Sequence, residues 1–404
     1  MQLAVTRGGR GLAILLAALL LASCTAAAQS APPPHAARFD EWTSATTAST
    51  TTDASPSPDA TPVPTSSPTP DPTPPPLPDP SPTPGPTPNS TPSPTPPPLT
   101  DPPAEVRLMA IGDVMLAQSI GRRIVRKGPL APWKRVKSYF DKADLVVANL
   151  ECTISTRGAK WPKTFTFRAP PRAADSLVAA GIDVVSLANN HALDYGIPAF
   201  EDTLALLEAR DVLYAGGGRD HDAAHAPLIV EQNGLRMAFL GYVLPFSGRP
   251  AFNTRQWAAG ANRPGLAIGT ADVVAREVAQ VRPHVDVVVV MVHGGLEYSH
   301  GPNRKVRRFA QAAVGAGAGL VIGHHPHVLH GYRRGGGTLI AYSIGNFVFD
   351  YFTGRPNDTA IMDVTLGANG VVSLKWIPIV IQNGFPRPAT AAEATRIRRA
   401  LVEY

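Results

Sequence analysis

Gly319-Leu320-Val321-Ile322-Gly323-His324-His325-Pro326-His327 is an apolar run that stops at three imidazoles within four residues. A buried strand with such a tip reads as a metal or phosphate site, because the run fixes the backbone while the tip presents the ring nitrogens. Four other strand-like runs end on polar groups in the same manner. Val106 to Ile111 leads into Gly112-Asp113, and Asp144 to Ala148 into Asn149-Leu150-Glu151. Ile182 to Leu187 is followed by Asn189-Asn190-His191, and Asp286 to Val292 by His293. With these strand ends side by side in one sheet, their side chains converge on one cleft beyond the carboxyl ends, where open α/β sheets bind ligands. A lone Asp or His after a strand is more often a turn residue or a satisfied core group. Five such ends in one chain are what that reading does not explain.

The converging groups are carboxylate, carboxamide and imidazole, with no thiolate. This excludes a structural cysteine zinc site and suits a divalent metal: Mn, Fe, Zn or Mg. The set is rich enough for two ions, which could activate a bridging water and clamp a phosphoryl group.

Helical periodicity over 170–180, 197–209, 271–281 and 303–315 alternates with the strands. Leu228 to Glu231 and Leu235 to Leu240 flank Asn233-Gly234, a hairpin signal. Late strands fall near 359–366 and 371–380, and the last dozen residues read as a closing helix. Alternation of this kind, with antiparallel pieces mixed in, predicts a layered α/β domain.

The chain outside that domain has a different character. Of the 43 prolines among 404 residues, 26 lie between Ala31 and Pro103. Residues 25–103 are a disordered Pro/Thr/Ser-rich tether that favours extended polyproline II; from Pro56 onward it could reach on the order of 150 Å. Residues 1–24 have the parts of a secretory signal: Arg7 and Arg10, an apolar centre from Leu12 to Leu21, then Leu21-Ala22-Ser23-Cys24. That tetrapeptide resembles a bacterial lipobox, which makes Cys24 the lipid attachment site. The expected arrangement is a lipoprotein signal peptide (1–24), the tether (25–103) and one folded domain (104–404). It places the protein at the cell surface, lipid-anchored to the outer face of the cytoplasmic membrane. Cys152 is expected to be a buried small apolar residue.

The formal net charge of +6 is modestly basic. Arg122, Arg123, Arg126 and Lys127, and Arg304, Lys305, Arg307 and Arg308, alternate with apolar residues at helical spacing. They read as solvated helix faces, or as a basic rim that attracts an anionic substrate or polymer. No nucleic-acid-binding motif accompanies them, and no nucleic-acid partner is expected.

Gly112-Asp113, Asn149-Leu150-Glu151, Asn189-Asn190-His191 with Asp194-Tyr195-Gly196, and His293-Gly294-Gly295-Leu296-Glu297-Tyr298 occur in a characteristic order. Gly323-His324-His325-Pro326-His327 and Tyr342-Ser343-Ile344-Gly345-Asn346 follow them. Together these motifs, over about residues 105 to 385, resemble the CapA family of poly-γ-glutamate capsule synthesis proteins. That family is a branch of the calcineurin-like metallophosphoesterase superfamily.

The resemblance implies a two-sheet β-sandwich flanked by helices, with a dinuclear centre between the sheet ends. By that analogy Glu151 bridges the metals, and Asp113, Asn190, His293, His325 and His327 are terminal ligands. His191 is the general acid, or alternatively a structural histidine held by Asp194. His324, Glu297, Asn346, Asn149 and Asp194 are further candidates for metal or substrate contact. The chain departs from the superfamily in two places. Asp-x-His is replaced by Asp113-Val114-Met115, and the closing Gly-His-x-His is lengthened, so spacing does not choose among its imidazoles.

The implied function is a surface-anchored, metal-dependent hydrolase acting in synthesis, release or anchoring of an anionic envelope polymer such as poly-γ-glutamate. Its partners would be that polymer or a phosphoester, the membrane through the lipid, and membrane polymer-synthesis enzymes. Two rivals are a non-catalytic capsule assembly or anchoring subunit and a general surface phosphodiesterase or nucleotidase.

Overall fold

The structure, a computed structural model, describes residues 4–8, 11–14, 104–246 and 252–404. Cys24 and the proline-rich segment lie outside the described residues, as does most of the apolar centre of the proposed signal.

The five strand ends belong to two sheets, not to one. The first sheet runs Phe385–Pro388, Gly370–Gln382, Asp358–Gly367, Glu105–Val114, Leu145–Leu150, Val184–Ser186, Leu213–Ala215, with Asn346–Val348 paired to Glu105–Val114. The second runs Tyr332–Gly335, Thr338–Ala341, Leu320–His324, Val287–His293, Leu235–Val243, Leu228–Gln232, and is continued by the backbone of Ala4–Gly8 and Gly11–Ile14. Within each sheet the strands that end at the candidate groups are parallel to one another, so each sheet delivers its tips to one edge. In the register, Asp113 stands opposite Asn149, and His293 opposite His324.

Alternation along the strands explains why the two sheets stack. Leu108, Ala110, Leu145 and Val147 of the first face Phe239, Val289, Met291 and Ile322 of the second in one buried cluster. Their sequence neighbours Met109, Ile111, Val146 and Ala148 point the other way, against the helices Gln118–Lys127 and Arg172–Ala180. On the far side, Val288, Val290 and Val321 pack against Val274 and Val278 of Ala271–Val281 and Phe309 and Ala313 of Arg304–Gly315. A strand buried on both faces has no polar alternation, hence the unbroken apolar run from Val287 to Val292. The result is a two-sheet β-sandwich flanked by helices.

Local signals set most of the boundaries. Thr270 and Asn303 cap their helices by accepting from the Val273 and Val306 amides, at 3.2 and 3.0 Å. Asn233 and Gly234 take φ of +49° and +79° in the hairpin turn. The first strand extends past its expected end at Ile111 because Asn346–Val348 pairs with its tip, placing Asp113 inside the ladder. A Cβ at Gly112 would lie 2.0 Å from the Gly345 carbonyl oxygen, so only glycine allows this approach.

Candidate metal centre

The two sheets bring Asp113, Asn149, Glu151, Asn190, His191, His293, His324, His325 and His327 together, all buried. Glu151, His325 and His327 offer ligand atoms within 4.8 Å of one another, as do Asp113, Glu151 and His293. Glu151 is common to both sets. It is fully buried, and neither carboxylate oxygen has a hydrogen-bond partner. His293 Nε2 lies 3.7 Å and His191 Nε2 4.0 Å from its Oε1. A buried carboxylate without a partner is costly, and a bound cation is the usual compensation.

Around this carboxylate the other groups orient each other. Asn149 donates to Asp113 Oδ1 at 2.8 Å, sits 3.3 Å from His293 Nδ1, and accepts from Asn189 at 3.1 Å. Asn190 Oδ1 lies 2.7 Å from His293 Nε2. His327 Nδ1 faces Asn346 Oδ1 at 2.9 Å and Asp113 Oδ2 at 3.4 Å, so Nδ1 carries the proton and Nε2 keeps its lone pair. His324 Nδ1 is 3.3 Å from Asp113 Oδ1. His325 stacks on Phe246, centroids 4.8 Å apart, and its Nδ1 has no partner. His325 and His327 hold φ of +96° and +58°, strain that the packed loop sustains at the strand tip.

Electrostatics follow from burial and these contacts. Burial pushes the Glu151 carboxyl well above its ordinary range, and the Asp113 charge adds to this. Burial would also raise Asp113, but the imidazoles of His324 and His327 outweigh it and hold that group well below the carboxylate range. Burial depresses His293 well below its ordinary value, His191 to about 4 and His325 to about 3. His327 alone among these is raised, because Asp113 and Asn346 overcome its burial. The cluster therefore presents mostly neutral imidazoles, as a divalent cation needs, around a Glu151 carboxyl that must give up its proton when a cation binds.

His191 donates from Nδ1 to Asp194 Oδ2 at 2.7 Å, with Nε2 toward Glu151. Asp194 also accepts from the Phe167 amide at 2.6 Å, and the Phe167 ring lies 4.3 Å from that of His191. Glu297 is exposed on the rim, and its charge reaches Glu151 and His327. Met115, at the position of the second residue of an Asp-x-His pair, turns its sulfur to the Ala117 amide at 3.2 Å. Cys152 is buried as expected, and burial pushes its thiol up to about 12.

Sequence reasoning missed Lys163. Its ammonium lies 2.6 Å from Asp194 Oδ1 and 3.2 Å from His191 Nδ1, donates to the Asn190 carbonyl, and rests over the Phe252 and Trp257 rings. The only signal was a lysine in a loop dense with aromatic residues.

The pattern of residues agrees with the comparisons. Residues 107–351 match the family model described as bacterial capsule synthesis protein PGA_cap. The chain is 30% identical over 311 residues to the capsule biosynthesis protein CapA of Bacillus anthracis, covering 74% of this chain and 73% of that one. It is 31% identical over 281 residues to the PGA biosynthesis protein CapA of Bacillus subtilis, covering 69% and 72%. A strand-tip cluster of acids and imidazoles compatible with a metal site thus sits within a matched region that spans most of the folded part, and the chain belongs to the PGA_cap family of bacterial capsule synthesis proteins.

Proposed function

We propose that this chain is a metal-dependent, phosphoesterase-like hydrolase of the cell surface. It acts in synthesis, release or anchoring of an anionic envelope polymer, of which poly-γ-glutamate is the type suggested by its relatives' names. The observation that carries this reading is Glu151, a buried carboxylate with two unpartnered oxygens amid imidazoles. In it, Glu151, Asp113, Asn190, His293, His325 and His327 would together hold two divalent ions (Mn, Fe, Zn or Mg). His324, beside Asp113, is the candidate for the place that Met115 leaves. When bound, the ions would supply positive charge for an attacking water and for the phosphoryl oxygen of the group under attack. His191 is the proton carrier: neutral in the resting site, it takes at Nε2 the proton that the attacking water loses and delivers it to the leaving oxygen. Asp194 stabilises the imidazolium so formed. Asn346 and Asn149 keep His327, Asp113 and His293 in their orientations. Cys24 and residues 25–103 act as lipid anchor and tether, and membrane polymer-synthesis enzymes are the proposed partners.

A second reading is favoured by one observation. With Met115 in place of an imidazole, the centre has one ligand fewer, as suits a non-catalytic assembly or anchoring subunit. Elemental analysis of the purified full chain, with hydrolysis of bis-p-nitrophenyl phosphate and of poly-γ-glutamate, separates the readings. About two metals per chain and turnover that His191→Ala abolishes are expected. No metal and no turnover after Mn²⁺ addition would leave the assembly subunit. Cleavage of the diester but never the polymer would mean a general surface phosphodiesterase or nucleotidase.

A further inference from the structure

The cations of the Gln118–Lys127 helix divide between two faces. Arg123 donates to the Asn383 carbonyl and lies over the Phe385 ring, 5.1 Å from its centroid. Arg122 and Arg126, one turn apart, instead line a groove of about 770 Å³ that Lys160 and Arg168 line as well. Among the described residues, no acidic side chain lines this groove. Arg168 is fixed: its guanidinium covers the Tyr195 ring at 4.2 Å and donates to the Arg157 and Gly158 carbonyls at 2.8 and 3.2 Å. Arg122, Arg126 and Lys160 are exposed and form no hydrogen bond or ion pair among the described residues. Asp202, the acid bonded to Ser155 of the lining, is taken by Arg157.

The floor of the groove is rigid. A Cβ at Gly121 would meet Pro170 Cδ at 2.7 Å and the Leu116 carbonyl at 2.9 Å, so the helix sits directly on the Pro170 segment. Sequence neighbours of its lining residues reach the metal centre. Arg168 follows Phe167, whose ring lies 4.3 Å from His191, and Arg122 acts electrostatically on Tyr351, whose ring is 5.8 Å from Phe167.

We propose that this groove binds an extended polycarboxylate chain, with Arg122, Arg126 and Lys160 taking successive carboxylates and leading the chain toward His191. The proposal rests on the reading of this protein as one that acts on an anionic polymer. Guanidinium forks pair with planar carboxylates, and an i, i+4 step along the helix advances about 6 Å, a spacing suited to repeated side-chain charges. A single-stranded nucleic acid would need exposed aromatic rings for base stacking. The aromatic residue of this lining, Tyr195, is buried beneath Arg168.

The test is fluorescence anisotropy of labelled poly-γ-glutamate with the full chain, across a salt series. The comparison is Arg122→Ser/Arg126→Ser/Lys160→Ser, three exposed changes whose folding is checked by melting temperature and metal content. The expected result is affinity about tenfold weaker or more, with a shallower salt dependence. Affinity within twofold of wild type would overturn the proposal. So would single-stranded DNA of equal charge binding as tightly through the same three residues. His325→Ala separates this proposal from the functional one on which it rests. Loss of metal with polymer affinity retained counts against neither the groove nor its ligand, whereas a metal-loaded enzyme indifferent to the triple change sinks the groove alone.

Discussion

Lys163 Nζ lies 2.6 Å from Asp194 Oδ1, while the other oxygen of the same carboxylate holds His191 Nδ1 at 2.7 Å. One buried carboxylate thus joins an imidazole that faces Glu151 to an ammonium that also grips the Asn190 backbone. Removing the cation leaves Asp194, with no exposed surface, short of its counter-charge. Lys163→Met should therefore cost about 3–5 kcal/mol in urea unfolding. In a double-mutant cycle with Asp194→Asn, the two changes should couple by at least ~1 kcal/mol. Strict additivity would mean that the two groups do not act as a unit.

Glu151 gives a change of sign rather than a loss. In the metal-free protein its carboxyl is buried without a partner and ionises less readily than in the unfolded chain, so Glu151→Gln should raise stability at neutral pH by roughly 1–3 kcal/mol. With a divalent metal at about 100 times its Kd, wild type should gain about 2.7 kcal/mol that the variant does not. Thermal unfolding in EDTA and in Mn²⁺ checks both halves. If the variant is less stable in EDTA as well, Glu151 is held by something other than a metal.

Much of this was legible in the sequence, for a physical reason. Strands buried on both faces must be apolar throughout, so the polar residue that ends each run, such as His293 or Asp113, stands out. Helix caps at Thr270 and Asn303 and the turn at Asn233-Gly234 are local, and the expected elements there match the observed ones closely. Which sheet each strand joins is not local. The motif residues alone pointed to one sheet, whereas the tips of Asp113 and His293 come from two. Lys163 was hidden for the same reason: its partners Asp194, Phe252 and Trp257 are distant in sequence, and no periodicity connects them.

Glycine precedes the polar tip in both Gly112-Asp113 and Gly323-His324, and its role can be tested directly. A Cβ at Gly323 would lie 2.1 Å from the Tyr342 carbonyl oxygen, in the backbone beside the histidine tip. Gly323→Ala should cost about 3 kcal/mol or more and displace His324 and His325. Gly315, at the end of its helix, would meet nothing within 4 Å. There alanine should be neutral or stabilising by up to about 1 kcal/mol. Equal effects at the two positions, measured by urea unfolding, would contradict the packing argument.

His330 supplies a pH dependence outside the metal cluster. Its ring is buried, Nε2 lies 3.0 Å from the Ser299 carbonyl, and Nδ1 has no partner. Burial pushes its pKa down to about 4, and the charges of Arg355, Arg307 and His300 act in the same direction against the carbonyl's opposing pull. Because the folded value lies below the ordinary 6.5, the unfolded chain takes up this proton first as pH falls. Stability present above pH 6.5 is therefore lost between 6.5 and 4. Comparing wild type with His330→Gln by chemical denaturation at fixed metal-free conditions isolates this group from the other imidazoles. The wild type should lose up to about 3 kcal/mol relative to the variant between pH 7 and pH 4. A difference independent of pH would mean that His330 stays accessible to protons in the folded chain.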